Sequence, residues 1–420
     1  MYSKREYLKT LQSEYKKASK SEKTSILNEY IKNTGHNRKY VIGQLNKNKL
    51  TKIAPFPIKK RKSLYGKELL APLEKLYEIF DCPCGQRLKP AIEAELDRLR
   101  SFGELNVDDK TVVLLKRMST ATMDRKLKKL RHNYTKKGVS TTKPGSLLKR
   151  QIPIKLTQWD TQKVGFQEVD LVSHCGGNSS GQFAHTVSLT EISSGWWEGE
   201  AIITKGQLQT LAAIKIMKTR SPFDWLGIDS DNGSEFINHH LLRYCQEEKL
   251  EFSRSRPNHK NDNAYIEQKN WTHVRQVVGY ARYDTQYEAD IINQLYRQEL
   301  RLYKNFFLPQ MKLKSKTRIE GHLKRQYEKA KTPYQRLLDS GQLSTQQIQA
   351  LKNTYNQRNP AQLKKQIEHT LFKLQLAYQH KGWDKSGSSD FEGPKTKKES
   401  NPHIQCFPQK VRREKSCSPT

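Results

Sequence analysis

Gly227-Ile228-Asp229-Ser230-Asp231-Asn232-Gly233-Ser234-Glu235-Phe236 is the stretch that decides how the middle of this chain folds. It continues an apolar run, Phe223 to Ile228, that reads as a strand, and its Asn-Gly pair is a turn signal. Asp231 therefore stands just past a strand end. Thirty-five residues lie between Asp231 and Glu267. The spacing puts Glu267 in the first turn or two of a helix expected over Asn263 to Tyr280. Upstream, Val164 to Val172 alternates as a strand, and Asp170 is the acid nearest its exit, sharing a face with Val164, Phe166, Glu168 and Val172. Carboxylates are the hard oxygen ligands that Mg²⁺ takes together with water and substrate phosphates. Two such ions roughly 4 Å apart can activate an attacking oxygen and stabilise a leaving one, which is phosphodiester chemistry.

Other acids compete for these roles. Asp160 reads as a turn residue before the first strand, and Glu168 has the right parity but lies one pair deeper. Asp229 shares parity with Asp231 and is its closest rival, as a ligand or as a supporting group. Glu235 suits the first turn of the following helix, where the dipole favours it, and Asp262 reads as a helix cap. Any one carboxylate alone is more often a solvated surface group; the case rests on three arriving in the right strand order.

Outward from this stretch, Phe183 to Thr190 and Gly195 to Ile203 read as two further strands, Lys205 to Met217 and Phe236 to Lys249 as helices, and Glu251 to Ser255 as a short strand. The order β-β-β-α-β-α-β-α predicts an α/β core with a mixed five-stranded sheet over residues 155–300.

The flanks have a different texture. Residues 1–50 look helical, with a capped segment Ser21 to Asn33, a break at Thr34-Gly35-His36 and a basic helix from Asn37 to Leu45 bearing Arg38 and Lys39. That is a helix-turn-helix outline with DNA as the expected partner, against the plainer reading of a helical hairpin. Residues 51–65 form a basic linker with Lys59, Lys60 and Arg61, able to track a phosphate backbone. Residues 66–132 are expected to form a second helical DNA-binding unit, with Arg125, Lys126 and Lys129 on its last helix. A linker follows over 133–154. Residues 301–383 are basic again, read as a small β unit or arm followed by helices, and residues 384–420 are rich in Ser, Pro, Gly and Lys, as disordered tails are.

The formal net charge is +33. Residues 1–150 carry 36 Lys/Arg against 15 Asp/Glu, residues 151–300 carry 15 against 19, and residues 301–420 carry 25 against 9. A mildly acidic core between two basic flanks suits a polyanion partner, double-stranded DNA first of all. No stretch approaches the ~20 apolar residues of a membrane helix, and the charged start has no signal-peptide pattern, so a cytoplasmic, nucleoid-associated protein is expected. The six cysteines lack zinc-site spacing and read as reduced thiols.

At these residues the chain resembles the DDE (D,D-35-E) transposase and retroviral-integrase superfamily, most closely the integrase-type transposases of bacterial insertion sequences. The likeness is carried by Asp170 in Glu168-Val169-Asp170, by Asp231-Asn232-Gly233-Ser234-Glu235-Phe236 and by Glu267 at the family's spacing. Leu189 to Trp196 is similar to the family's strand turn ending in Gly-Trp, and Asn261 to Asp284 and Thr332 to Leu338 resemble one insertion-sequence subgroup. The resemblance implies an RNase H-like core using two Mg²⁺ or Mn²⁺ ions on Asp170, Asp231 and Glu267. It implies cleavage at transposon ends, strand transfer of the 3′-hydroxyl into target DNA, and a homo-oligomeric synaptic complex. Two departures stand out: the His-His-Cys-Cys zinc module is absent, and the position seven residues after Glu267, a lysine in the retroviral enzymes, is Val274, with Arg275 beside it as a candidate phosphate contact. Two rival readings are a transposase-derived DNA-binding protein without catalysis and an RNase H-like nuclease acting on RNA–DNA hybrids.

Overall fold

The computed structural model describes residues 4–47, 64–130, 163–231, 233–255, 264–319 and 322–383. They fall into two compact units, residues 1–64 and 65–420.

The first unit holds three helices: α1 (Lys4–Lys17), α2 (Lys20–Thr34) and α3 (Arg38–Leu45). Local chemistry sets their ends. Ser19 and Glu22 form a reciprocal capping box at the start of α2, and Gly35 ends it in the left-handed conformation at φ 71°. Asn37 then caps α3 by accepting from the Lys39 amide. Leu8, Tyr15, Leu27, Tyr30, Val41 and Leu45 form a small buried core. Arg38 and Lys39 stay exposed, though the Arg38 guanidinium also donates to Asn28 Oδ1 at 2.5 Å. Gly43 sits inside α3, where a Cβ would meet nothing within 4 Å. Gly43→Ala is therefore expected to stabilise α3 by about 0.5–1 kcal/mol, read as slower hydrogen exchange of its amides.

In the second unit the strands are β1 (Phe166–Ser173), β2 (His185–Glu191), β3 (Trp197–Ile202), β4 (Gly227–Ser230) and β5 (Glu251–Arg254). They form one sheet in the order β3-β2-β1-β4-β5. β1–β2 and β2–β3 pair antiparallel; β1–β4 and β4–β5 pair parallel. This is the mixed five-stranded sheet expected. β4 begins four residues later than the apolar run suggested. Phe223 and Trp225 are buried without joining the ladder, and Phe223 instead meets the edge of Trp196. Apolarity marked burial there, not pairing.

Helices α4 (Leu70–Ile79), α5 (Gly85–Ser101), α6 (Asp109–Arg117) and α7 (Thr120–Lys126) precede the sheet. Within and after it come α8 (Gln207–Arg220), α9 (His239–Glu247), α10 (Ala264–Lys269), α11 (Gln276–Val278), α12 (Gln286–Gln294) and α13 (Arg301–Phe306). A two-stranded hairpin, β6 (Leu313–Ile319) and β7 (His322–Tyr327), leads to α14 (Pro333–Asp339), α15 (Thr345–Asn356) and α16 (Pro360–Trp383). One apolar cluster runs from Leu69 through the sheet to Leu374. Polar struts reinforce it: Asp81 is paired with both Lys304 and Lys364, and Arg87 donates to the Pro309 carbonyl. Residues 66–130 are thus packed with the sheet and the C-terminal helices in a single unit. Residues 51–63 of the basic linker, the segment 133–154 and the tail 384–420 lie outside the described residues. Cys84, Cys175 and Cys245 are free thiols, whereas Cys82 departs from the expectation of six reduced cysteines by being disulfide-bonded. No described helix is long and apolar enough to cross a membrane.

Candidate active site

The parallel β1–β4 pair positions the first two carboxylates. Its register sets Glu168 against Asp229 and ends at Val169 against Ser230, so Asp170 and Asp231 are the next positions along the pair: Asp231 one residue past β4, and Asp170 inside β1, which runs on to Ser173 and so places this acid within the strand rather than at its exit. The Asp170 carboxylate accepts from the Leu171 amide at 2.8 Å and from Asn270 Nδ2 at 2.7 Å. Asp231 accepts from the Gly233 amide at 2.9 Å. That approach explains Gly233: a Cβ there would lie 2.8 Å from both Asp231 Oδ1 and the Glu235 carboxyl carbon. The Asn-Gly signal therefore marks a close approach of backbone to two acids as well as a turn.

The electrostatics of these acids follow from that register. Burial, and then the charge of Asp231, push the Asp170 carboxyl up to about 8, with smaller contributions from Glu267 and Glu235. Burial pushes Asp231 up to about 6, against the pull of the Gly233 amide. Carboxylates this crowded resist ionising together.

A second layer lies beneath. Glu168 and Asp229 are almost wholly buried. Glu168 accepts from the Ile266 amide at 3.0 Å, at the start of α10, and Asp229 accepts from Ser253 Oγ at 2.5 Å. Glu168 therefore anchors the helix that carries Glu267, as a capping residue supplied from another strand. The depth that counted against Glu168 as a ligand is what fits it for this support. Glu168→Leu, which leaves the buried Ile266 amide without this acceptor, is expected to cost about 1–3 kcal/mol in urea unfolding.

Glu267 itself is on the exposed side of α10. Asn270, one turn on, turns back to Asp170 and links the helix to the strand acid. The helix then widens into a π-helical stretch, Asn270–Arg275. Each π turn takes about one more residue than an α turn. In this stretch Arg275, the candidate phosphate contact, is engaged within the protein: its guanidinium donates to the Ser173 carbonyl at 2.7 Å and lies 4.9 Å from the Tyr280 ring. Trp271 remains exposed. Sequence reasoning missed Asn270 as a partner of Asp170, although its i+3 spacing from Glu267 was the available signal.

The expected DNA contacts divide. Arg125 is exposed and, among the described residues, bonds along its own helix, to Thr122 and Ala121. The Lys126 ammonium is engaged inside the unit by the Tyr65 and Gly66 carbonyls, at 2.8 and 3.3 Å. Lys59, Lys60 and Arg61 lie outside the described residues, and so does the side chain of Lys129.

Among the described residues, no three His, Cys, Asp or Glu side chains converge closely enough to hold a metal ion as they stand. The donor set nonetheless suits a hard divalent cation: Asp170, Asp231 and Glu267 present oxygen only, and two of them already crowd one another. A cation would relieve that repulsion and draw the third carboxylate in.

No protein-family model matches the sequence. Over 339 residues the chain is 33% identical to the uncharacterized protein y4rM of Sinorhizobium fredii (strain NBRC 101917 / NGR234), covering 80% of this chain and 95% of that protein. The chain belongs to the y4rM family. Among solved structures, this y4rM-family chain is similar to the catalytic core domain of BIV integrase, at 19% identity and a TM-score of 0.28, over 42% of this chain and 94% of that one. It is also similar to the HTLV-2 integrase catalytic core domain in complex with magnesium. The dimeric form matches at 13% identity and a TM-score of 0.26, over 35% of this chain and 89% of that one.

Proposed function

We propose that this chain is a DNA transposase of the integrase type, cutting at the ends of a mobile DNA segment and joining the freed 3′-hydroxyls to target DNA. The observation that carries the reading is the juxtaposition of Asp170 and Asp231 on adjacent parallel strands, just past the last β1–β4 pair, within electrostatic reach of Glu267. The net charge of +33 supplies a reason for DNA as the polyanion.

In this reading Asp170, Asp231 and Glu267 would hold two Mg²⁺ or Mn²⁺ ions. The ions would supply Lewis-acid stabilisation of the phosphodiester oxygens and a nucleophile at neutral pH. The protein's own part is positioning. Asn270 holds the Asp170 carboxylate, the Gly233 amide holds Asp231, and Glu168 holds the helix of Glu267. No side chain of the chain forms a covalent bond to DNA.

The test uses labelled duplexes from the DNA flanking the coding sequence, where the ends of a mobile element lie. With Mg²⁺, the wild-type protein is expected to nick these ends and join them to a second duplex, and Asp231→Asn to do neither. Equal activity of the two proteins, or none from wild type on any flanking duplex, rejects the reading.

A further inference from the structure

The hairpin β6–β7 pairs with itself and stands away from the core. Every described side chain on it from Leu313 to Tyr327 is exposed except half-buried Ser315. A lone two-stranded ribbon is marginally stable in water, and this one adds a penalty of its own. Its register sets Lys316 directly against Arg325, and like charges opposite one another destabilise a strand pair. On the other face Thr317 pairs with Lys324, so cationic side chains project from both sides. None of Lys314, Lys316, Arg318, Lys324 and Arg325 has a carboxylate partner among the described residues.

The root of the hairpin is tied down firmly. Gln310 and Lys331 bridge it, and the Lys312 ammonium donates to the Ile192 carbonyl at 2.7 Å and to the Ser193 carbonyl. The same ammonium lies 6.0 Å from the ring of Tyr265, two residues before Glu267. The arm therefore starts beside the helix of the candidate active site.

We infer that β6–β7 is a nucleic-acid-reading ribbon that enters the major groove of duplex DNA next to the site of cleavage. The inference rests on the proposed function only for its location, not for its chemistry. A two-stranded ribbon fits the major groove, which is about 12 Å wide. Strands of six and seven residues reach roughly 20 Å. Phosphates on both walls of the groove would meet the cations on both faces and remove the Lys316–Arg325 repulsion. A second copy of the ribbon is disfavoured as occupant, because two such edges carry the same charge.

The test compares wild type with Lys316→Ser/Arg318→Ser/Lys324→Ser/Arg325→Ser in the full chain. These side chains are exposed and the variant relieves the Lys316–Arg325 repulsion, so the variant should melt no lower than wild type. Binding to a guanine-containing duplex is measured across salt concentrations, with guanine N7 protection from methylation as the groove readout. The variant is expected to show a shallower salt dependence, by about 0.9 in the slope of log Kobs against log salt for each phosphate it no longer neutralises, and to lose the N7 protection. Unchanged slope and protection overturn the inference. So does an equal effect on single-stranded DNA without N7 protection, or a change of oligomeric state in place of a change in DNA binding. Cleavage by wild type against Asp231→Asn is scored separately. Duplex binding through the hairpin without cleavage would sink the transposase reading and leave the ribbon standing.

Discussion

Asp170→Asn is expected to lower DNA cleavage by about 10³-fold or more while making the metal-free protein more stable than wild type near pH 8. In the proposed reading the first effect follows from losing a ligand whose ion would contribute several kcal/mol to the transition state, at about 1.4 kcal/mol per tenfold. The second follows from the raised carboxyl of Asp170, at about 8 in place of its ordinary 3.8. A folded-state value above the unfolded one means that folding favours the protonated form. The stability this lends is fully present below about pH 4 and is lost as pH rises through 8. Asparagine stays neutral and escapes that loss. Melting temperatures from pH 4 to 8 should therefore fall for wild type relative to Asp170→Asn. Buried His174 and His185, held down to about 3 and about 4 by burial, are common to both proteins and cancel in the comparison. Added Mg²⁺ should raise the melting temperature of wild type more than that of the variant. Parallel melting curves with and without Mg²⁺ would remove the physical basis for a cation site at Asp170.

Arg98→Met is expected to destabilise the chain by about 3–5 kcal/mol, the range for stranding one member of a buried ion pair. Arg98 pairs with Glu95 at 2.6 Å, and the Glu95 side chain is 4% exposed. The same guanidinium donates to the Tyr355 and Arg358 carbonyls and lies 4.0 Å from the Tyr355 ring. The Tyr355 hydroxyl completes the knot by donating to Glu95 at 2.5 Å. Burial raises the Glu95 carboxyl, and Tyr355 and Arg98 pull it back. Removing Arg98 leaves the burial without its main counter-charge. The double variant Glu95→Gln/Arg98→Met should recover part of the loss, since no charge is then stranded. Urea unfolding of both variants checks this. A loss under about 1 kcal/mol in the single variant, the range of a surface pair, would mean that α5 and α15 are not braced through this arginine.

The sheet was legible because its signals are local. Alternation over Val164 to Val172 and the apolar run before the acidic motif each reflect a strand with a buried face, and the structure returns the expected element order. The start of α3 at Asn37 was readable for the same reason, since a cap is an interaction within four residues, whereas the cap of α2 is Ser19, two residues before the Ser21 at which the sequence began that helix. The π-helical stretch was not legible. Nothing in Asn270 to Arg275 departs from helical composition, and the extra residue per turn shows only in how Arg275 and His273 pack inward. The use of Lys126 was equally hidden. A lysine on a basic helix reads as a phosphate contact, and only folding brings it to the Tyr65 and Gly66 carbonyls.

By itself the sequence determined which acids could matter: Asp170, Asp231 and Glu267 by strand parity and spacing, with Glu168 and Asp229 as neighbours of the same parity. Parity and spacing are properties of the chain, so they survive any packing. Only the tertiary structure divided those five into a crowded pair, an outlying helix acid and a supporting layer. That division depends on the parallel register of β1 with β4 and on the Ile266 amide meeting Glu168 across 98 residues. Register and helix docking are set by groups distant in sequence, which no local pattern encodes.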